Sequence, residues 1–253
     1  MKFELLDRYM RRFELERQYS FPPEMYVVVQ LEGYRFSQIN ERVDELQGPY
    51  SEELHRVLVE SARYLMEGEI SVLYSYIFDE ELSFLLPKSM DNLGRSARKV
   101  TSYFTGQASG KCSLLFQRVV SFSARIFQLP NIECVVDYFL WRLEEANRRL
   151  LHRYGRFVLE KKGLSRAQAA KELQLMDIRG KEKLLKNAGI ELCKLPFWQR
   201  AGSAIFWQPY EHEGYNPKLD KKIKTWRKRL YVDTGFPIRK SEYRQYLLDR
   251  LKH

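Results

Sequence analysis

Residues 76–84 read Tyr76-Ile77-Phe78-Asp79-Glu80-Glu81-Leu82-Ser83-Phe84, and their reading decides the fold. Two apolar runs flank adjacent carboxylates, the pattern of two strands joined by a tight acidic turn. Upstream, Tyr26-Val27-Val28-Val29-Gln30-Leu31 reads as a buried strand that runs into Glu32-Gly33-Tyr34-Arg35-Phe36. A carboxylate followed by a glycine therefore stands at one strand end, beside an acidic hairpin. Palm-type nucleotidyl transferases hold two magnesium ions with such a set, because hard oxygen donors suit cations that bridge phosphate oxygens and activate a hydroxyl. Phosphoryl chemistry is the functional reading. Carboxylates at turns are also ordinary solvated punctuation, and the Asp79-Glu80 pair taken alone reads more simply that way.

Working outward, the chain reads as α+β: a palm-like antiparallel sheet of ferredoxin type with flanking helices, followed by a helical, basic C-terminal portion. Residues 2–19 carry apolar side chains at helical spacing, Phe21-Pro22-Pro23 breaks the pattern, and a strand covers 25–31. A helix over 51–67 starts at Ser51 as N-cap and stops at Gly68, with Leu54, Val57, Leu58, Ala62, Leu65 and Met66 as its core stripe. Strands at 70–77 and 81–86 form the hairpin, and the strand–helix–hairpin order brings Glu32 and Asp79 toward one sheet edge. A helix near 93–117, a strand at 118–122 and a long helix near 132–162 follow; Val135, Phe139, Leu143, Ala146 and Leu150 of the last read as core. Ser165 with Gln168 signals a capping box, a helix near 181–188 closes at Gly189, a strand covers 203–208, and a last helix runs from Ser241 to Leu251. The division expected is a palm over 1–140 and a dependent C-terminal portion over 141–253.

The 253 residues are 44% hydrophobic and 14% aromatic, enough for a substantial core. No apolar run approaches membrane-spanning length and the opening residues lack a signal-peptide block, so the reading is cytoplasmic. Cys112, Cys134 and Cys193 are odd in number and widely spaced, which speaks against a disulfide framework or a zinc ribbon. His55, His152, His212 and His253 have no metal or triad spacing. The formal net charge of +10 points to a polyanionic partner, nucleic acid before membrane. Lys218, Lys221, Lys222, Lys224, Arg227, Lys228 and Arg229 crowd around Trp226, and Arg148, Arg149, Arg153, Arg156, Lys161 and Lys162 follow one another along the long helix. Such runs are usually solvated faces; with aromatics interleaved they also fit RNA.

With these residues in hand, the chain resembles the tRNA-histidine guanylyltransferases, 3′-5′ polymerases, and especially their bacterial and archaeal guanylyltransferase-like relatives. Glu32-Gly33-Tyr34-Arg35-Phe36 sits where the family has Asp-Gly-Arg-x-Phe, and Asp79-Glu80 within its Ser-Asp-Glu-x-Ser. Gly106-Gln107-Ala108-Ser109-Gly110-Lys111, Phe127-Gln128-Leu129-Pro130, Trp141-Arg142, Leu195-Pro196-Phe197-Trp198 and Gly214-Tyr215-Asn216-Pro217 follow in family order. The resemblance implies addition of nucleotides to the 5′ end of tRNA in the 3′-to-5′ direction, as in template-dependent 5′-end repair. Its cofactors would be two Mg2+ ions, its substrates GTP or ATP and tRNA or a tRNA-like RNA, and its assembly a homo-oligomer, dimer or tetramer.

By that resemblance Glu32, the Gly33 carbonyl and Asp79 are the expected metal ligands, with Glu80 as an auxiliary catalytic carboxylate. Gly33, Tyr34, Arg35, Phe36, Lys111 and Arg142 are expected at the nucleotide, and Arg148, Arg149, Lys221, Lys222, Arg227 and Lys228 at RNA. The departures are specific. Glu32 replaces the family's Asp, Tyr34 its Arg, Phe78 its Ser, Gly48 its Lys and Ser123 its Asp, while Asn147-Arg148-Arg149-Leu150 replaces the His-Ile-Asn-Asn of the histidine-specific enzymes. A displacement of about 1 Å in a catalytic group can cost about a hundredfold in rate, so one added methylene at Glu32 matters. These changes carry the alternative reading, a catalytically impaired paralogue that binds RNA or regulates an active relative. A cyclase-like palm is a third reading that leaves the charge unexplained.

Overall fold

The computed structural model describes residues 3–10, 19–34, 36, 48–216 and 221–251. Helix α1 spans Phe3–Met10, β1 Tyr26–Gly33, α2 Glu52–Met66, β2 Tyr74–Phe78, β3 Glu81–Leu86, α3 Ala97–Phe116, β4 Phe122–Leu129 and α4 Ile132–Lys161. They are followed by α5 Arg166–Gln174, α6 Ile178–Asn187, the short α7 Phe197–Ala201, β5 Ser203–Asn216, β6 Lys221–Asp233 and α8 Lys240–Leu251. One six-stranded sheet has the order β4-β1-β3-β2-β5-β6, with every neighbouring pair antiparallel. Its first four strands with α2 and α3 make the β-α-β-β-α-β arrangement of ferredoxin-like palms.

Every residue of β2 and β3 is buried, Ser75, Glu81 and Ser83 included, as befits central strands covered on both faces. One face packs Val27, Val29, Leu31, Leu82 and Phe84 against the stripes of α2 and α3. The other packs Val28, Tyr74, Tyr76, Phe78 and Leu85 against α4, α7 and α8. Ser51 caps α2 by accepting from Leu54 N at 3.1 Å, and Asn131 caps α4 by accepting from Cys134 N at 2.9 Å. The thirty residues of α4 reach about 45 Å. One helix can therefore line the whole sheet and still extend past it.

Three elements differ from expectation. The fourth strand is Phe122–Leu129, and residues 117–121 are a connection in which Gln117 takes a left-handed φ of 54° and Ser113 Oγ accepts from Val120 N. The second strand starts at Tyr74, after residues 70–73 have approached as coil. The basic C-terminal run is β6, paired residue for residue with a β5 that extends to Asn216. The C-terminal half thus contributes two strands to the sheet, and α4 runs across residue 140 without interruption. Among the described residues no helix is long and apolar enough to cross a membrane.

Candidate active site

The β2–β3 hairpin closes through the Phe78–Glu81 pair, leaving Asp79 and Glu80 as a two-residue turn. Asp79 has φ 58°, the positive value a first turn residue needs here, and Asp is one of the few side chains that accept it. The turn is tied to β1, since Gly33 N donates to Glu80 O at 3.0 Å. Glu32 lies directly opposite Glu81 on one side and Ser123 on the other. Strand end and acidic hairpin therefore meet, as the sequence order suggested.

What faces these carboxylates is a stripe of arginines. Arg142, Arg149 and Arg153 recur along α4 at offsets of seven and four, one helical face, with fully buried Ala146 between them. Glu81 is buried and accepts from Arg142, from Arg149 Nη2 at 2.6 Å and from Gln30 Nε2 at 3.1 Å on the neighbouring strand. Arg153 Nη2 stands 2.7 Å from Asp79 Oδ1 and 3.0 Å from Glu80 Oε1, with its guanidinium 5.1 Å from the centre of the Tyr50 ring. Burial pushes Asp79 up to about 6, against the pull of Arg153 and with a further push from Glu80. Asp79 Oδ1 has no aligned hydrogen-bond donor despite the nearby guanidinium. Glu32, half-exposed at the mouth, is paired with Arg125 of β4 at 3.2 Å.

The other expected residues are distributed differently. Arg142 is buried and paired with Glu81. Arg149 is also part of the carboxylate cluster, held by Glu81 and Glu145, with 32% of its side chain exposed. Phe36 is fully buried against Phe122 and Phe116, so it is core. Gly33 is required by that packing, since a Cβ there would lie 1.8 Å from the Phe36 ring. Lys111 lies on α3, with its ammonium 5.2 Å from the centre of the Tyr64 ring of α2. Tyr34 is 60% exposed beside the mouth. Arg148 is exposed on another flank of α4, and Lys221, Lys222, Arg227 and Lys228 are exposed on β6. Arg35 and Lys218 lie outside the described residues. Glu81 and Arg153 had not been singled out as site residues; the spacing of Arg142, Arg149 and Arg153 in phase with the apolar stripe of α4 was the available signal.

A family model described as tRNAHis guanylyltransferase matches residues 7–134. The chain belongs to this family. Among curated relatives, tRNA(His) guanylyltransferase 2 of Arabidopsis thaliana is 27% identical over 208 residues, which are 78% of this chain and 38% of that protein. The Schizosaccharomyces pombe tRNA(His) guanylyltransferase is 24% identical over 242 residues, 87% of this chain and 89% of its own. The chain spans well under half the length of the two Arabidopsis family members it matches. A bacterial tRNA(His) guanylyltransferase-like protein in complex with GTP has the same fold, with a TM-score of 0.72 at 21% identity over 98% of this chain and 99% of that one. Its ATP complex gives 0.74 at 21% identity, over 97% and 98% of the two chains. Fold and family are thus shared.

Proposed function

We propose that this chain is a 3′-5′ nucleotidyltransferase that adds nucleotides to the 5′ end of tRNA or a tRNA-like RNA in the cytoplasm, as a homo-oligomer. The observation that carries the reading is the meeting of the Glu32-Gly33 strand end with the Asp79-Glu80 turn at one end of a palm sheet. Membership of the guanylyltransferase family supports it, as do the GTP and ATP named for the bacterial neighbour's complexes.

Among the described residues no group of three or more His, Cys, Asp or Glu side chains converges as a metal cage. The donor chemistry nevertheless fits a hard cation held partly by substrate: Asp79 brings a buried oxygen with no hydrogen bond, and Glu32 stands half-exposed at the mouth. Glu32, the Gly33 carbonyl and Asp79 would hold Mg2+, with Glu80 beside them, and the ion would supply charge neutralisation at the phosphates and activation of the attacking hydroxyl. Arg153 meanwhile compensates Asp79 and Glu80, so that two adjacent carboxylates, the first largely buried and the second partly so, remain tolerable within the hairpin. Base choice is left to pairing with the opposite RNA strand, and the protein supplies position and phosphate contacts.

One observation favours the alternative, an RNA-binding or regulatory paralogue without turnover: Glu32, Asp79, Glu80 and Glu81 each already have an arginine partner. Incubating the protein with tRNAs lacking their 5′ nucleotide, differing only in the templating base, with Mg2+ and all four nucleoside triphosphates separates the readings. Template-matched addition lost in Asp79→Asn supports the transferase. Addition of G regardless of template overturns template-directed repair, and RNA binding without any addition supports the paralogue.

A further inference from the structure

On a different flank of α4 from the arginine stripe lies a cavity of about 520 Å3, within the range of small-molecule sites. Leu140, Glu144 and Arg148 stand one above another along this flank at offsets of four. Buried Leu143, Leu150 and Ala201 join Leu140 as an apolar floor, and half-exposed Ile178 and Ile238 form part of the rim. Three cations line the same space: Arg148 from α4, Arg200 from α7 and Lys240 from the start of α8. Glu144 is the only carboxylate among the lining residues, and Asn147 adds an amide. Among the described residues neither Arg148 nor Lys240 is in an ion pair, and Arg200 Nε is buried without a hydrogen-bond partner. Elsewhere in the chain the buried or half-buried arginines of α4 are matched to carboxylates, so this surplus is local.

We propose that the cavity binds a nucleoside 5′-phosphate, either free or as the end residue of an RNA. A phosphate supplies the charge that Arg148, Arg200 and Lys240 lack, and guanidinium groups bind it in fork geometry. A planar base rests on the leucine and isoleucine surface. Asn147 and Glu144 offer one amide and one carboxylate to base edges or ribose hydroxyls, groups that an aliphatic chain would bury without partners. The site is separate from the acidic hairpin and does not depend on nucleotide transfer there.

Cys193 lines the same cavity and is exposed, whereas Cys112 is buried, so the chain carries its own reporter and control. The test is the rate at which N-ethylmaleimide labels each cysteine of the full chain, read by mass spectrometry, with GMP, AMP, a short 5′-phosphorylated RNA, guanosine, inorganic phosphate or laurate present. GMP or AMP at about ten times its dissociation constant should slow labelling of Cys193 by about tenfold, since only the unoccupied fraction reacts. Arg148→Glu with Lys240→Glu, both exposed positions, should abolish that protection, while Asp79→Asn should retain it. Protection by the RNA at lower concentration than by the mononucleotides assigns the site to an RNA end, and the reverse order assigns it to free nucleotide. No protection by any phosphate compound, protection that survives the double variant, or protection by laurate alone would overturn the proposal. Loss of protection in Asp79→Asn would place the nucleotide at the hairpin and would also overturn it.

Discussion

Arg142 and Glu81 form an ion pair with only 2% and 4% of their side chains exposed, at the centre of the face where α4 crosses the hairpin. Buried pairs repay their desolvation only when both members are present, and removing one strands the other. Arg142→Met should therefore cost about 3–5 kcal/mol of unfolding free energy. Glu81 would still be held by Arg149 and Gln30, which places the expected value toward the lower end. Combining Arg142→Met with Glu81→Met should recover much of the loss, because two apolar side chains replace two charges. Urea unfolding of the two single variants and the double variant checks this; a double variant less stable than either single one would contradict it.

Gly33 is tested by adding one methyl. Its Cβ would meet the Phe36 ring at 1.8 Å, and that ring is itself wedged against Phe122 and Phe116. Gly33→Ala should destabilise by about 1–3 kcal/mol as an overpacked site. Shortening the opposing ring in Phe36→Leu should relieve part of that strain, so the two substitutions should combine to less than the sum of their separate costs. Additive thermal shifts would assign the glycine to a role other than packing.

The palm was legible because its central elements advertise themselves. Val27, Val28 and Val29 in succession, the largely apolar β2 and β3, and the stripe of α4 all pair a readable hydrophobic pattern with burial. Strand β6 was not, since Lys221, Lys222, Lys224, Arg227, Lys228 and Arg229 are exposed on both faces of an edge strand and leave no apolar alternation to read. At the site, Asp79 and Glu32 were recognisable as carboxylates at strand ends. Their arginines were not recognisable as partners, because charges on a long helix read as solvated and Arg142 meets Glu81 across 61 positions of sequence. Only the packing of α4 onto the hairpin brings them together.

His55 should set a pH dependence. Its ring stacks on Trp198 at 4.5 Å and its Nε2 is 3.1 Å from Ser203 Oγ, and burial pushes its pKa down to about 4. Between the unfolded value near 6.5 and about 4, the unfolded chain binds a proton that the native state refuses, so stability is full above this window and falls as pH drops through it. Asp79, pushed up to about 6, acts with the opposite sign in an overlapping range, so the informative quantity is a difference between variants. His55→Phe keeps the stacking and loses the titration. It should be less stable than the parent at pH 7, where Ser203 loses its partner, and the gap should shift in its favour by about 2 kcal/mol at pH 5. Urea midpoints at the two pH values decide it; a constant gap would mean that His55 titrates normally.

The geometry of β6 divides its basic residues into two sets. Pairing with β5 runs residue for residue from Asp233 back to Lys221, so alternation holds without a bulge and successive side chains leave opposite faces. Leu230 and Val232 pack on the α2–α3 side, which puts Lys222, Lys224 and Lys228 on that face with Trp226, whose ring is 75% exposed. Lys221, Arg227 and Arg229 share the face of α4 and the hairpin. An RNA whose end enters the hairpin meets the second set. Neutralising Lys221 and Arg227 together should then lower the slope of log affinity against log salt by about two units, one for each phosphate that these side chains neutralise. The matched pair Lys222 and Lys228 should leave the slope unchanged. Filter-binding isotherms with tRNA at four salt concentrations distinguish the faces: the opposite result would put the RNA on the α2–α3 side, where Trp226 offers a stacking platform, and would remove the hairpin as the place where the RNA end lies.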